Sequence, residues 1–428
     1  MREPRTDGEP ERLHRLEQRP RLVGLPAHAG ALRRHNLALV LAEIARGEGA
    51  SRAQIASVTR LTRGTVSALV DTLLSAGLVV EGGPNRGSVG RPGNALRLNA
   101  EGPVGLGIEI NVDYVATALL DFTGRARSVR IVAGDNRAAA PQAVLGRSVH
   151  MAQQMVAESL TESSKIVGIG VAVPGLVSSE GVLRRAPNLP GWESVAVAET
   201  VESMLAMPVE ITLVDNEANL AALAEHWYAN ADVGDDFVRV SGEVGVGAGI
   251  VIGGELWRGV NGLSGELGHV TVDPQGPQCS CGGRGCLEQV AGQEALLREA
   301  GATMPAGTAL GVPDGPISAL VARAKRGDEQ TLAALRRAGA ALGIALSSLV
   351  NVLDVPTIVL GGLYADVAPW ISDEVSRELH ARAIGYHDAG VRLLVSQLGA
   401  EAAVRGAAGL VIRRIIDNPS LVADHLAR

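Results

Sequence analysis

The chain has 428 residues, of which 46% are hydrophobic and 20% charged, and its formal net charge is −7. This balance is typical of a soluble globular protein with two or three domains. No apolar run approaches the roughly 20 residues of a membrane helix, and the charged opening lacks the apolar stretch of a secretory signal. We therefore expect a cytoplasmic protein.

The charge is unevenly distributed along the chain. Residues 27–98 carry nine arginines and four acids, so this segment is +5 and the remainder is −12. A basic module attached to an acidic body suggests that only the first part meets a polyanion. Before it, residues 1–26 combine Pro, Gly, Arg and Glu without apolar periodicity, which predicts a flexible tail.

The basic segment predicts three short helices followed by a hairpin. Ser51 and Thr62 are N-cap candidates for the second and third helices, and Gly77 is the expected stop of the third. Two short apolar runs around a Gly- and Arg-rich loop then predict a β-hairpin wing. The residues expected to face inward lie at helical spacing: Leu37, Val40, Leu41, Ile44, Ile55, Val58, Val66, Leu69, Val70, Leu73 and Leu74.

This layout is that of a winged helix-turn-helix, whose third helix enters the major groove of DNA. We expect residues of the third helix to face base edges, one arginine of the second helix to contact phosphate, and two wing arginines to track the backbone or the minor groove. A small helical protein-interaction domain with solvated arginines is the alternative. The predicted DNA contacts are Arg52, Thr62, Arg63, Thr65, Ser67, Arg86 and Arg91.

From Val104 onward, short β-branched runs alternate with helical stretches, which predicts an α/β body long enough for two lobes. The stretch "VEITLVDNEANLAALAEHWYA" passes from a strand into a helix at the corner formed by residues 215–219. The stretch "DFVRVSGEVGVGAGIVIGGELWRG" predicts a hairpin that turns at Gly253 and Gly254. Ligands of such architectures bind at strand ends and in the cleft between lobes.

The only three cysteines of the chain, Cys279, Cys281 and Cys286, occur within eight residues. An odd number does not complete a disulfide framework, and the intervening glycines allow three thiolates to converge. His269, ten residues upstream of the first cysteine, completes a Cys₃His set typical of structural zinc sites. A redox relay is the alternative, but it usually shows C-x-x-C spacing. We therefore predict a zinc ion bound by these four residues.

The segment "GVNGLSGELGHVTVDPQGPQCSCGGRGCLEQVAG" closely resembles the signature of the ROK family (repressors, open reading frames and kinases). The motifs "VPGLV", "PNLPGW", "DNEANLAALAE" and "VLGG" match in order, and the basic segment resembles the DNA-binding domain of the repressor branch. The resemblance implies an α/β protein with a winged helix-turn-helix in residues 27–100. It also implies an actin-like, ribonuclease-H-like ATPase fold of two sugar-binding lobes in residues 104–428, with a zinc loop over residues 269–288.

The same resemblance implies which residues contact the sugar. Carboxylates and amides suit sugar hydroxyls, which both donate and accept hydrogen bonds. One nitrogen of the His269 ring would bind the metal while the other donates to a hydroxyl. As alternatives, Asn188 could cap a turn and Glu288 could be a surface acid or support the zinc site. The implied sugar contacts are Asn188, Asn216, Glu217, Glu266, His269 and Glu288.

Departures from the family's kinase pattern favour a regulator without enzymatic activity. The kinases carry an Asp base where this chain has Glu217, and a displacement of about 1 Å can lower a rate about 100-fold. Their phosphate loop "D-x-G-G-T" is "EINVD" here, without glycines and ending in Asp113. Val244 stands where the kinases have Thr. We therefore expect that ATP binding is lost and sugar binding is kept.

The sequence thus predicts a sugar-responsive transcriptional regulator, interpreted as a repressor, that binds double-stranded operator DNA as a homodimer or homotetramer. Two alternatives stay open. One is an ATP-dependent sugar kinase that carries a DNA-binding domain, and the other is a constitutive DNA-binding protein without an effector. Polar contacts shared by a family do not identify the sugar, because that choice rests on pocket shape.

Overall fold

The computed structural model describes residues 29–47, 49–84, 94–160, 165–178, 180–207, 209–229, 233–302, 315–386 and 390–422. The tail predicted for residues 1–26 and the wing arginines Arg86 and Arg91 lie outside these ranges.

The basic segment folds as three helices and a two-stranded antiparallel hairpin, as its sequence predicts. The elements are α1 (Ala29–Arg46), α2 (Arg52–Thr59), α3 (Arg63–Ser75), β1 (Val79–Pro84) and β2 (Asn94–Leu98). Ser51 caps α2 through a capping box with Gln54, and Thr62 caps α3 by accepting a hydrogen bond from the Thr65 amide. Both predicted N-caps are confirmed, so local side-chain chemistry sets where these helices begin.

The predicted inward-facing residues of this domain are buried or half-buried with one exception. Val58 of α2 is 61% exposed, so its prediction as a core residue is wrong. Helix α2 packs through Ile55 and Ala56 in its middle. The helix ends at Thr59, and Arg60 follows in a left-handed conformation with φ of 57°. Val58 therefore lies at the edge of the core, where the chain already turns away.

A five-stranded sheet forms the first lobe. Its strands are β3 (Val104–Ile110), β4 (Tyr114–Leu120), β5 (Ala126–Ala133), β6 (Ile166–Val173) and β10 (Ile211–Asn216). Between β6 and β10 the chain forms a small separate sheet of β7 (Leu176–Val177), β8 (Val182–Arg185) and β9 (Glu193–Ala196). The order is β10-β6-β3-β4-β5, with β3, β4 and β5 antiparallel and β6 and β10 parallel to β3. Helices α4 (Pro141–Ser159) and α5 (Val197–Met204) share a hydrophobic cluster with this sheet.

The second lobe repeats this topology. Helix α6 (Glu217–Tyr228) leads to β11 (Phe237–Gly242), β12 (Val246–Ile252) and β13 (Glu255–Leu256), and later come β14 (Thr357–Gly362) and β15 (Arg392–Val395). The order is β13-β12-β11-β14-β15, again three antiparallel strands followed by parallel ones. The predicted hairpin turn at Gly253 and Gly254 is confirmed, and it joins β12 to the two-residue β13. A longer hairpin, of β11 and β12, turns at residues 243–245 and was not predicted.

Among the described residues, the second lobe also contains the helices α7 (Glu288–Ala291), α8 (Gln293–Glu299), α9 (Pro316–Lys325), α10 (Glu329–Leu353) and α11 (Leu363–Arg382). Within the described residues, α10 is the one helix long and apolar enough to cross a membrane. In its most apolar window 61% is buried inside the protein, as expected for the core helix of an α/β lobe.

Helix α12 (Ala402–Asp417) returns from the second lobe to the first. It packs against β3, β4 and β6, against α6, and against α1 of the winged domain. Close approach to the sheet depends on glycine. A Cβ at Gly107 or Gly170 would collide with the carbonyl oxygens of Val404 and Ala407 in α12. Helix α12 therefore connects the winged domain, the first lobe and the interlobe helix α6.

Candidate functional site

A cavity of about 280 Å³ lies between the two lobes. Its walls come from the loop after β8, the corner between β10 and α6, the turn after β11, the segment before residue 269 and the start of α7. These segments are distant in sequence, and the fold brings them together at strand ends facing the cleft. All six predicted sugar contacts line the cavity: Asn188, Asn216, Glu217, Glu266, His269 and Glu288.

Asn216 is the N-cap of α6, and most of its amide is engaged in the fold. Its Oδ1 accepts hydrogen bonds from the amides of Ala218 (2.8 Å) and Asn219 (3.3 Å). Its Nδ2 donates to the Gly175 carbonyl at 3.0 Å and to Oε2 of Glu217 at 3.2 Å. The cap therefore holds the Glu217 carboxyl at the cavity wall.

Glu217 lies among other carboxyl groups. Burial, together with the nearby carboxylates of Glu109, Glu266 and Glu243, holds the pKa of Glu217 well above its ordinary value. Its neutral form is therefore favoured in the folded protein. A neutral carboxyl donates one hydrogen bond and accepts others, which suits a hydroxyl, whereas it is a poor base.

His269 ends a short 3₁₀ helix, Leu267–His269, and its two ring nitrogens face different groups. Nδ1 lies 3.7 Å from Sγ of Cys279, whereas Nε2 lies 3.8 Å from Oε2 of Glu266. The second gap is too long for a direct hydrogen bond. A hydroxyl oxygen inserted there at about 2.8 Å from each atom would contact both groups.

Asn188 and Glu288 form a second polar pair on the wall. The Asn188 side chain hydrogen-bonds the Glu288 carboxylate, which is 9% exposed. Gly245 makes room for them, because a Cβ there would lie 2.5 Å from Oε2 of Glu288 and 2.9 Å from Nδ2 of Asn188. A glycine of the turn after β11 is thus needed to form this wall.

The three cysteines and His269 converge beside the cavity. The Sγ atoms of Cys281 and Cys286 are 3.8 Å apart, and the four ligand atoms all lie within 4.8 Å of one another. In a tetrahedral zinc site, bonds of about 2.3 Å to sulfur and about 2.0 Å to nitrogen separate two sulfurs by about 3.8 Å and sulfur from nitrogen by about 3.6 Å. The cluster therefore fits a tetrahedral metal ion.

The loop that carries these thiols is tightly turned. Gly285 has φ of 66°, and a Cβ there would collide with the carbonyl oxygen of Asp273. The Gly283 amide donates to Sγ of Cys281 at 3.3 Å. Glu288 follows Cys286 by two residues, so the thiol loop and one wall of the cavity are a single segment.

A buried carboxyl cluster at the other end of the cleft escaped the sequence analysis. Glu109, near the end of β3, is 1% exposed and accepts a hydrogen bond from the Tyr114 hydroxyl at 2.5 Å. Burial raises its pKa to about 7. Burial and the charges of Glu109 and Asp113 raise the pKa of Glu243 to about 8, against the opposing effect of Arg239. Glu109 lies near the end of β3 and Glu243 directly follows β11, the equivalent strand of the second lobe, and that equivalence was the available signal.

On the winged domain, the predicted base-reading residues lie at the start of α3. Arg63 is exposed as the first residue of the helix, and Ser67 is half-buried one turn later. The hydroxyls of Thr62 and Thr65 are 2.8 Å apart, within the N-cap. Contact between these four residues and DNA stays a prediction.

Arg52 is engaged within the domain. Its Nη2 lies 2.9 Å from Oε1 of Glu81 and 3.0 Å from Oδ1 of Asp71. Hydrogen bonds from Asn94 and Arg52 lower the pKa of Glu81, so this carboxylate stays charged. Arg52 therefore connects α2 to α3 and to the wing strand β1, and its predicted phosphate contact would add to this role.

Fold and site together define the class: a winged helix-turn-helix domain joined to a two-lobed α/β domain of actin-like fold, with a polar cavity between the lobes. The ROK family model matches residues 105–414, and a MarR family model matches residues 38–87 within the winged domain. The chain belongs to the ROK family.

Relatives with this arrangement cover nearly the whole chain. The chain is 32% identical to a protein named putative xylose repressor from a Caldicellulosiruptor species, over 90% of this chain and 98% of the relative. It is 30% identical to the xylose repressor of Bacillus subtilis, over 89% and 96% of the two chains.

Two solved structures match the fold. A ROK family transcriptional regulator, described as a homolog of the E. coli MLC protein, has a TM-score of 0.75 at 24% identity and covers 92% of this chain and 99% of its own. A ROK family glucokinase from Streptomyces griseus, solved with glucose and AMPPNP, has a TM-score of 0.60 at 27% identity and covers 72% of this chain and 98% of its own.

Proposed function

We propose that this ROK protein is a sugar-responsive transcriptional repressor. One observation carries the proposal: six polar residues from separate segments line one interlobe cavity, in a chain that also has a winged helix-turn-helix domain. The names of its full-length relatives support the assignment, since repressors are at least 30% identical over about nine-tenths of the chain. A DNA-binding repressor acts where the DNA is, so we place the protein in the cytoplasm.

In this proposal the sugar binds through mixed donors and acceptors. One hydroxyl occupies the gap between Nε2 of His269 and Oε2 of Glu266, which are 3.8 Å apart. Another hydroxyl contacts the hydrogen-bonded pair of Asn188 and Glu288. The neutral Glu217 carboxyl donates to a third. Each contact is a hydrogen bond to a polar group already held by the fold, so little ordering is needed on binding.

We assign the metal centre to zinc, held by His269, Cys279, Cys281 and Cys286. Three thiolates and one imidazole with no open position are the donor set of a closed structural zinc site. When bound, zinc would supply a cross-link that stabilises the loop. With Nδ1 on the metal side, Nε2 of His269 keeps its proton and donates it to a hydroxyl.

We infer that the protein is not a kinase, because the residues at the nucleotide end of the cleft are unsuited to binding a phosphate. The Val112 amide donates to Oδ1 of its neighbour Asn111 at 2.7 Å, so this amide is not free for a phosphate oxygen. Glu109, Asp113 and Glu243 interact electrostatically at this end, and these three acidic groups cannot neutralise the charge of a phosphate. The raised pKa of Glu217 favours its protonated form, which is a poor catalytic base.

Signalling from the sugar to DNA would run through two helices. Helix α6 begins at the cavity with Glu217, and α12 packs against both α6 and α1 of the winged domain. The packing is close, because a Cβ at Gly406 of α12 would collide with the Leu220 carbonyl of α6. Sugar binding that shifts α6 would therefore move α1. The protein would bind operator DNA as a homodimer or homotetramer, with one orientation of the paired winged domains favoured by the sugar.

The DNA half of the proposal is tested with an operator selected from random DNA by the wild-type protein. Arg63→Ala should weaken binding roughly 10- to 100-fold in a fluorescence anisotropy titration, because it removes a base contact. The matched control is Arg46→Ala, an arginine whose side chain is 79% exposed at the end of α1. Equal affinities of wild type and Arg63→Ala would overturn the placement of α3 in the groove.

The sugar half is tested with a panel of pentoses, hexoses and N-acetyl sugars. At least one sugar should raise the melting temperature and change operator affinity. If none does, the protein is a constitutive DNA-binding protein and the proposal fails. A coupled assay with ATP and the same panel should show no turnover, and robust phosphorylation would instead identify a sugar kinase.

A further inference from the structure

A second cavity, of about 190 Å³, adjoins the first. Three residues line both cavities: Asn188, Val244 and Glu288. The hydrogen-bonded side chains of Asn188 and Glu288 therefore form part of the boundary between the two spaces. A ligand that contacts this pair in the first cavity can extend past it into the second.

The second cavity has a polar wall with paired charges. Arg137, in the loop after β5 of the first lobe, lies 2.9 Å from Oε1 of Glu294 in α8 of the second lobe and 3.2 Å from Oδ1 of Asp135. Arg298 is exposed, and within the described part of the chain its one hydrogen bond is long, at 3.4 Å from Nη2 to the Gln289 carbonyl. Most donors of the Arg298 guanidinium therefore remain available to a ligand.

These charges favour a neutral polar ligand over an anionic or an apolar one. Two arginines face two glutamates, Glu288 and Glu294, so the wall has no excess of positive charge to hold a phosphate or carboxylate. An apolar or acyl group would cover the exposed charged side chains of Arg298 and Glu294 without offering them hydrogen bonds, which is unfavourable. Hydroxyl groups can accept from guanidinium groups and donate to carboxylates at the same time.

The size of the site agrees with this interpretation. Pockets for small molecules typically span about 300–1,000 Å³, and the first cavity alone lies just below that range. The two adjoining cavities together lie within it.

We propose that the second cavity is a subsite for a second sugar unit, so that the preferred effector is a disaccharide or longer glycoside. Its first unit would occupy the cavity lined by His269 and Glu266, and its second unit would contact Arg137 and Arg298. This inference rests on the proposed sugar-binding function and adds the class of sugar to it.

The test is isothermal titration calorimetry on the full-length, metal-loaded protein. Matched pairs are xylose with xylobiose, and glucose with cellobiose and maltose. At least one disaccharide should bind about tenfold or more tightly than its monosaccharide, because hydrogen bonds to charged groups are the stronger ones. Arg298→Ala should remove most of that gain and leave the monosaccharide affinity unchanged, which also shows that the variant folds. Arg336→Ala, an exposed arginine on α10, should keep the gain.

The other outcomes separate this inference from the function on which it rests. If a monosaccharide binds as tightly as its disaccharides, the subsite is refuted while the sugar-binding function stands. If glucose 6-phosphate or N-acetylglucosamine gains affinity through Arg298 and no disaccharide does, the second cavity takes an anionic or acyl group and the inference is overturned. If no sugar binds at all, the proposed function fails together with the subsite.

Discussion

The two ends of the interlobe cleft contain the same acidic residue type in opposite environments. At the sugar end, Glu266 and Glu288 border an open cavity of about 280 Å³ and lie beside an imidazole and an amide. At the opposite end, which would hold the nucleotide in a kinase and is called the nucleotide end here, Glu109 and Glu243 border a space of about 10 Å³, roughly that of one water molecule. Glu243 also lines the larger cavity, which has room for a polyol, whereas the small space beside Glu109 has no room for a phosphate.

This difference shows that glutamates alone do not define a ligand site. Space and hydrogen-bonding partners decide whether a carboxyl group binds a ligand or fills a core. At the sugar end the loop that carries the thiols also forms part of the cavity wall, because Cys286 and Glu288 are two residues apart. In the loop after β3, Asn111 and Val112 stand where the kinases have glycines, and each is only 3% exposed.

Removing a metal ligand should have the largest effect on this contrast. Cys286→Ala should lower metal affinity by at least about 100-fold, since even outer partners of metal ligands contribute 10- to 100-fold. Metal content by elemental analysis and sugar affinity by calorimetry should fall together. Ser280→Ala, in the same loop, is the matched control. A variant that loses the metal and keeps its sugar affinity would show that the loop does not support the wall.

Changing one carboxylate at the sugar end should have the next largest effect. Glu266→Gln keeps the shape and removes the charge that faces Nε2 of His269. We expect sugar affinity to fall roughly 10- to 100-fold, the range for a hydrogen bond to a charged group. Glu255→Gln, an exposed glutamate of β13, should leave it unchanged. Equal losses in both variants would argue against a direct contact.

At the nucleotide end, the expected effect is on stability against pH. The pKa of Glu243 is raised from 4.5 to about 8 in the folded protein, so its contribution to stability is complete below pH 4.5 and is lost as the pH rises towards 8. The groups facing it are Glu109, Asp113, Asp366 and Arg239. Urea titrations of wild type and Glu243→Gln should diverge by on the order of 2 kcal/mol between pH 5 and pH 8, with the variant less sensitive. Parallel pH profiles would contradict the raised pKa of Glu243.

The smallest effect is expected from restoring one kinase residue. Val244→Thr introduces the hydroxyl that the kinases have at this position but leaves Glu109 and Asp113 in place. We therefore expect no ATP-dependent turnover above background in a coupled assay with the sugar that binds best. Turnover in this single variant would mean that ATP can bind at the nucleotide end, and that the two ends differ less than we propose.

Local patterns in the sequence were enough to predict several helix starts and the position of the thiol cluster. The caps at Ser51 and Thr62, the strand-to-helix corner at residue 216 and the clustering of three thiols near His269 depend on neighbours in the chain. A family resemblance added the six polar residues of the cavity. Such features are predictable because capping, turn geometry and metal spacing act over a few residues.

Other features were decided by packing between distant segments. The exposure of Val58, the opposed Glu109 and Glu243, and the second cavity beside Arg298 depend on which elements of the fold meet. Burial and carboxyl pKa values follow from neighbours far away in the chain, and periodicity along the sequence does not encode them. The sequence by itself therefore determines which chemical groups are present. The tertiary contacts determine whether each group faces a ligand or is buried in the core.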